Sequence, residues 1–288
     1  MGQAKEVATG HFKYTEAEMR LKTVQDNSQA QVSAKFKLIP ERFRGQVALV
    51  VGGAQGIGKA IAFRLAREGA AVMIADVDRP MLLQTKEEFA KEHLAIQTYY
   101  CDVQRHRHVD KMMVKLIRRN SRIDVLMYVA GVAEPMPFVE TDTGSWDRTL
   151  DVNLKGAFLT ARATIPHMVR QKSGSLVFMA STNAWDAEAG LASYNASKAG
   201  IFLLAKTLAR EFGHYGIRSN AVGPGLIRTR LTQSLLKDRK FMSKYKNLIP
   251  LGRIGEPEDV VGPATFLASC DADFVNGILL FVDGGQLA

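Results

Sequence analysis

One stretch near residue 50 restricts the fold of this chain more than any other. Gln46-Val47-Ala48-Leu49-Val50-Val51 is an apolar run that reads as a buried strand. Gly52-Gly53-Ala54-Gln55-Gly56-Ile57-Gly58 follows directly, and Lys59 to Glu68 then carries apolar residues at helical spacing until Gly69 stops it. Strand, glycine turn and helix make a corner where the backbone turns sharply and approaches a pyrophosphate, with the helix N-terminus facing the anion. A glycine run alone is as often a plain turn. Here the next apolar run, Ala71-Val72-Met73-Ile74-Ala75, ends in Asp76, 18 residues after Gly58. A carboxylate at that distance accepts hydrogen bonds from adenosine ribose hydroxyls and repels a 2′-phosphate. Asp78, just before Arg79-Pro80, is the better helix cap, which leaves Asp76 for the ribose. NAD is therefore expected, with NADP disfavoured.

Four further residues point to proton chemistry: Asn153, Ser181, Tyr194 and Lys198. Tyr194 and Lys198 are four apart, so on a helix they share one face. A free phenol ionises at about pH 10, and a neighbouring ammonium favours the phenolate. A phenol so placed can give or take a proton while the Ser181 hydroxyl holds a substrate oxygen. An isolated Tyr/Lys pair is more often a solvated face. The glycine corner upstream reverses that balance.

With these parts in order, the chain resembles the short-chain dehydrogenase/reductase family over residues 45–285. Gly52, Gly56 and Gly58 stand in the glycine positions of the family's TGxxxGxG. Cys101-Asp102-Val103 is similar to the pair that meets the adenine ring, and Val152-Asn153-Leu154-Lys155-Gly156 to the segment with the family's asparagine. Tyr194 to Gly200 matches YxASKAG, with Ser181 13 residues before the tyrosine. Asn220 to Thr229 is similar to the segment that closes over the nicotinamide, and Val275 to Gly285 to the last strand.

The resemblance implies a Rossmann-type α/β fold, a doubly wound parallel sheet of seven strands with helices on both faces, in a single domain. It implies a cofactor site lined by Gly52, Gln55, Gly56, Ile57, Gly58, Asp76, Val77, Asp102, Val103, Val129, Ala130, Gly131, Pro224, Gly225, Ile227 and Thr229, with Tyr194 and Lys198. In the implied mechanism Tyr194 is the general acid/base and Lys198 lowers its pKa and holds the nicotinamide ribose. Ser181 orients the substrate oxygen, and Asn153 holds a water that links Lys198 to solvent. The implied reaction passes a hydride between NAD and a secondary alcohol or ketone. Two departures stand out. Val51 replaces the family's threonine, and Tyr128-Val129 replaces both asparagines of its NNAG, so side chains that tie the glycine turn and brace the central strands are gone.

The rest of the chain fits this frame. Apolar runs near 46–51, 71–76, 95–101, 123–129, 174–181, 216–222 and 277–282 alternate with helical segments, a rhythm that implies a parallel sheet covered on both faces. Each motif falls just after a strand or on the helix beside it, so all converge at the carboxyl ends of the strands. Residues 1–44 are polar and lack a core pattern; a peripheral or partly disordered extension is expected there. Residues 45–288 form the catalytic domain, with a mobile lid near 228–249. Val132, Ala133, Glu134, Asn183, Trp185, Asp186 and Glu188 are expected around the substrate, and their three acids hint at a hydroxylated one.

Composition sets the outer limits. A hydrophobic content of 47% can bury one large core, and no apolar run approaches the ~20 residues of a membrane helix. The net charge of +9 is spread over many helix faces without an aromatic-interleaved basic strip, so no nucleic-acid partner is expected. Cys101 and Cys270 lack ligand spacing and the six histidines form no ligand cluster; no metal and a cytoplasmic setting are expected. Helices near 147–171 and 194–212 are apolar on more than one face, which points to a homotetramer or homodimer. Two other readings stay open. A 3-oxoacyl-carrier-protein reductase is favoured by the basic surface and disfavoured by Asp76. A non-catalytic dinucleotide-binding sensor or scaffold has no need of the Asn/Ser/Tyr/Lys set.

Overall fold

The computed structural model describes residues 38–288, and seven strands lie in one sheet. They are β1 Val47–Val51, β2 Ala71–Asp76, β3 Ile96–Tyr100, β4 Val125–Tyr128, β5 Gly174–Met179, β6 Ile217–Pro224 and β7 Leu279–Val282. Their order is β3-β2-β1-β4-β5-β6-β7, and every pairing is parallel. Between them run α1 Gly56–Arg67, α2 Arg79–Lys91, α3 His106–Asn120, α4 Thr143–Leu150, α5 Gly156–Gln171 and α6 Ala192–Phe212. After β6 come α7 Gln233–Lys237, α8 Arg239–Lys246 and α9 Pro257–Ala268.

The unbroken apolar sequence of β1 follows from cover on both faces. Its side chains alternate between two cores. Val47, Leu49 and Val51 pack with Leu126, Phe178 and Met168 on one side. Ala48 and Val50 pack with Ile61, Leu65, Met127 and Leu267 on the other. Burying each large side chain stabilises the fold by roughly 1.5–3 kcal/mol, so the sheet centre is the rigid base on which loops are mounted.

Strand order reverses beside β1, with β2 on one flank and β4 on the other. Val51 pairs with both Ala75 and Tyr128, so three chains leave the sheet at one level. A crevice opens at such a switch point. Strand ends shift by one or two residues from the sequence expectation, and three differences bear on the site and its base. β5 stops at Met179, which puts Ser181 outside the sheet at the head of a 3₁₀ turn, Thr182–Ala184. The helix expected over 147–171 is α4, a π turn at Asp151–Lys155, and α5. The packed body begins before residue 45: Phe43 is fully buried, its N–H donates to Glu68 O at 2.8 Å, and Arg42 Nε donates to the buried Glu68 carboxylate at 2.8 Å. The remainder of the expected extension, residues 1–37, lies outside the described residues. Among the described residues no helix is long and apolar enough to cross a membrane.

Candidate active site

Two glycines of the corner are fixed by space. Gly52 has φ +78°, and a methyl group on it would lie 2.5 Å from Ala130 N. One on Gly58 would lie 2.1 Å from Gly52 O. Any side chain would push the turn apart. Because α1 starts inside this turn, its first N–H groups lack intrahelical partners and can serve an anion.

The hydroxyl lost at Val51 is replaced from elsewhere. Thr85 Oγ1, on α2, donates to Ala54 O at 2.6 Å, and Ala54 N donates to Asp76 Oδ2 at 3.1 Å. Asp76 Oδ1 accepts from Asp78 N at 3.0 Å. Each Asp76 oxygen therefore holds one backbone N–H and keeps lone-pair capacity for a ribose hydroxyl. Asp78 caps α2 through Met81 N at 3.1 Å. The nearby arginines are engaged: the Arg79 guanidinium stacks 4.0 Å from the centre of the Tyr100 ring, and Arg230 pairs with Asp78 at 3.3 Å.

Tyr128 does part of what an asparagine does in the family. It is fully buried, and its hydroxyl donates to Val152 O at 2.6 Å. That ties the end of β4 to the π turn. The turn carries Asn153, whose Oδ1 accepts from Val132 N at 2.8 Å and whose Nδ2 donates to Val132 O at 3.0 Å and Ser197 Oγ at 2.9 Å. Both amide hydrogens are thus used inside the protein. A water-holding role for this side chain is left to the remaining Oδ1 lone pair, so the amide acts mainly as a bridge from β4 to α6.

α6 delivers Tyr194 and Lys198 one turn apart. Lys198 is buried, donates from Nζ to Met179 O at 2.7 Å, and sits 5.4 Å from the centre of the Tyr194 ring. A methyl group on Gly131 would be 3.4 Å from both Lys198 Nζ and Asn153 Oδ1, so these groups share one point. Burial holds the Lys198 ammonium down at about 7. It pushes the Tyr194 phenol up to about 12, against a lowering by the Ser181 hydroxyl and with a smaller rise from Glu188. The expected downward pull of Lys198 is not among the causes that set the phenol; desolvation dominates and penalises both charged forms. Ser181 heads its turn with Oγ donating to Asn183 Oδ1 and accepting from Asn183 N, both at 3.1 Å.

All eighteen residues expected around the cofactor line one cavity of about 530 Å³, together with Ser181. Asn153 stands behind its wall. The fit to a dinucleotide is physical: glycines that admit no Cβ at one end, a carboxylate at the ribose distance, and a phenol and an ammonium at the other end. Sequence reasoning missed Arg148, Gln104, Leu231 and Thr232, which also line the cavity. Arg148 pairs with Glu134 at 2.6 Å. Its signal was its place five residues before Asn153, hidden by the π turn that shifts helical phase. Of the three acids expected around the substrate, Asp186 is exposed, Glu134 faces Arg148, and Glu188 accepts from Tyr245 at 2.9 Å. Trp185 points largely into solvent. Among the described residues no His, Cys, Asp or Glu group of three is arranged to hold a metal.

The chain is similar to known proteins over most of its length. Residues 52–286 match the family model described as Enoyl-(Acyl carrier protein) reductase. The chain is 38% identical over 244 residues to the (2S)-[(R)-hydroxy(phenyl)methyl]succinyl-CoA dehydrogenase subunit of Thauera aromatica, covering 84% of this chain and 97% of that one. It is 35% identical over 244 residues to the 3-oxoacyl-[acyl-carrier-protein] reductase of Thermotoga maritima, covering 85% and 98%. The structure of a gluconate 5-dehydrogenase from Burkholderia cenocepacia, in complex with NADP and tartrate, is similar with a TM-score of 0.82 and 33% identity, over 86% of this chain and 98% of that one. With a model match across most of its length and relatives of that coverage, the chain belongs to the short-chain dehydrogenase/reductase family of nicotinamide-dependent oxidoreductases.

Proposed function

We propose that this protein interconverts a secondary alcohol and its ketone with NAD as the preferred cofactor, and that Tyr194 carries the proton. One observation supports this most: Ser181, Tyr194 and Lys198 line the same cavity as the glycine corner and Asp76. The cofactor supplies the hydride donor or acceptor when bound. The protein supplies placement and a proton path.

Ser181 Oγ lines the cavity, and turning its one proton from Asn183 Oδ1 to the substrate oxygen lets it hold that oxygen and stabilise charge that develops on it. A phenol pushed up to about 12 is protonated at neutral pH, so Tyr194 has a proton to pass to a carbonyl oxygen as negative charge builds on that oxygen during hydride transfer. In the opposite direction the phenolate must form, and the nearby Lys198 stabilises it in its protonated form, which burial restricts to below about pH 7 in the free protein. Asn153 keeps Lys198 and α6 in register through Val132 and Ser197. NAD preference rests on Asp76 together with the engagement of Arg79 and Arg230, which leaves a 2′-phosphate facing a carboxylate. Cytoplasmic work fits the two free cysteines, Cys101 and Cys270. Assembly through α5 and α6 fits the exposed Phe158 and Leu203 on those helices.

A panel of secondary alcohols and ketones, run with NAD and NADP and followed by nicotinamide absorbance, tests the reading. Turnover of at least one alcohol with NAD is expected; a panel silent with both cofactors would contradict it. The Thermotoga relative favours a second reading, reduction of a 3-oxoacyl thioester. A 3-oxoacyl thioester turned over faster with NADPH than any simple ketone with NADH would establish that alternative.

A further inference from the structure

The carboxylate of Glu188 takes no part in the mechanism above, yet three separate parts of the chain hold it beside the catalytic residues. It stands in the loop between β5 and α6. Its backbone carbonyl accepts from Asn195 Nδ2 at 2.8 Å. Asn195 Oδ1 accepts from Asn183 Nδ2 at 2.8 Å, and Asn183 Oδ1 accepts from Ser181 Oγ at 3.1 Å. One hydrogen-bonded chain therefore fixes both the Ser181 hydroxyl and the Glu188 backbone.

The side chain is fixed from the opposite direction. Tyr245, on α8, donates its hydroxyl to Glu188 Oε1 at 2.9 Å, and Gln286, near the C-terminus, donates Nε2 to that same hydroxyl oxygen at 3.0 Å. Tyr245 is itself buried in a small core with Leu226, Ile249 and Ile254, so the phenol that grips Glu188 does not swing. A single phenolic proton serves only one carboxylate oxygen. Oε2 has no protein donor among the described residues, and a carboxylate accepts through both oxygens. Glu188 also lines a second cavity, of about 780 Å³, with Met136, Pro137 and Asn195. Asn195, which holds the Glu188 backbone, directly follows Tyr194 on α6, so the loop that carries Glu188 runs beside the catalytic tyrosine.

We propose that Glu188 is a specificity-determining residue that accepts a hydrogen bond from a second hydroxyl of the substrate, so that the site takes neutral polyhydroxylated alcohols, sugars or polyols, over simple or anionic ones. Glu188 is half-buried, and an acceptor that a bound substrate covers rejects an analogue lacking the matching hydroxyl, because the acceptor is then desolvated without a partner. A carboxylate on the substrate at that place meets a like charge. This proposal rests on the alcohol–ketone reading above, and it singles out a substrate class within it.

A matched set on one ring tests it: cyclohexanol, trans-cyclohexane-1,2-diol and 2-hydroxycyclohexanecarboxylate, each with NAD and the full chain. For the wild type, kcat/KM for the diol should exceed that for cyclohexanol by roughly tenfold or more, a difference of ~1.4 kcal/mol, and the hydroxy acid should fall below cyclohexanol. In Glu188→Ala the diol-to-cyclohexanol ratio should drop to about one. In Glu188→Gln, which keeps the amide oxygen as acceptor and removes the charge, the diol preference should persist and the hydroxy acid should recover. Tyr245→Phe, which releases the carboxylate but keeps the ring in its core, should weaken the diol preference severalfold without equal loss on cyclohexanol. A ratio unchanged in Glu188→Ala, or a hydroxy acid preferred by the wild type, overturns the proposal. Ligand-observed NMR of the three compounds with protein and NADH reads recognition apart from turnover. Loss of the diol signal in Glu188→Ala supports the proposal even where the ring alcohols are not oxidised, and equal signals in both proteins refute it while leaving the redox reading to its own assay.

Discussion

Tyr128 and Val152 are joined by a 2.6 Å hydrogen bond from a fully buried phenol to the carbonyl of a π turn. The bond anchors the turn one residue before Asn153, where a single extra residue per turn would otherwise leave backbone groups in competition. The close approach also explains Gly156, on which a methyl group would lie 2.2 Å from the Tyr128 hydroxyl. Tyr128→Phe keeps the ring in its core and removes only this donor. Stability should fall by about 1 kcal/mol, read as a lower denaturant midpoint, and kcat should fall while NADH affinity holds. An unchanged midpoint and an unchanged kcat together would mean the bond braces nothing.

Lys198 makes stability depend on pH with a definite sign. Its ordinary value is 10.5, and burial holds it at about 7 in the folded protein. Between those values the unfolded chain keeps a proton that the folded one has lost, so stability rises with pH over that window. Below about pH 7 the folded protein carries the full cost of a buried cation. Tyr194 acts in the other direction, but only above its ordinary value of 10.0. Lys198→Met abolishes the rise. Urea midpoints of wild type and variant should diverge from about pH 7 to about pH 10, wild type gaining; parallel midpoints would show that Lys198 stays charged across the window.

Much of this was legible in the sequence because the signals are local. β1 and the glycine corner are contiguous, Tyr194 and Lys198 share a helix face, and Asp76 ends a strand that pairs with β1. The seven parallel strands follow from their alternation with helices. What stayed hidden depends on partners distant in sequence. Thr85 repairs the missing hydroxyl at Val51 from 34 residues away in a bond to Ala54 O that no spacing rule encodes. The π turn interrupts a segment whose apolar spacing reads as one helix. The grip of Tyr245 on Glu188 spans 57 residues. Titration was misjudged for the same reason: spacing reveals that Lys198 neighbours Tyr194, whereas the burial that dominates both groups comes from the whole fold.

The proposed NAD preference rests on Asp76. Wild-type kcat/KM should favour NAD over NADP by roughly tenfold or more, ~1.4 kcal/mol. Asp76→Ser removes the carboxylate and should bring the two cofactors within a few fold. It also loses acceptors for Ala54 N and Asp78 N, so NAD affinity should decline as well. Steady-state kinetics with each cofactor checks this; an unchanged ratio in the variant would move the preference elsewhere.

Assembly has a visible surface. Leu203 on α6 is 60% exposed and Phe158 on α5 is 45% exposed, and pairing of α5 and α6 between copies would cover both. The wild type should scatter light as a dimer or tetramer. Leu203→Glu should shift it to a smaller species. A wild-type monomer that stays active at micromolar concentration would show that these side chains tolerate water.

Tyr194→Phe addresses the central claim most directly. The substitution keeps the ring packed near Lys198 and removes the one phenolic proton that reaches the cavity beside Ser181 among the described residues. NADH binding, followed by the quenching of protein fluorescence on titration, should remain within a few fold of wild type. Turnover of the best alcohol from the panel should fall by ~10²–10⁴-fold. A variant that binds NADH and turns over within threefold of the wild type would contradict the assignment of the proton to Tyr194, and with it the account of the site.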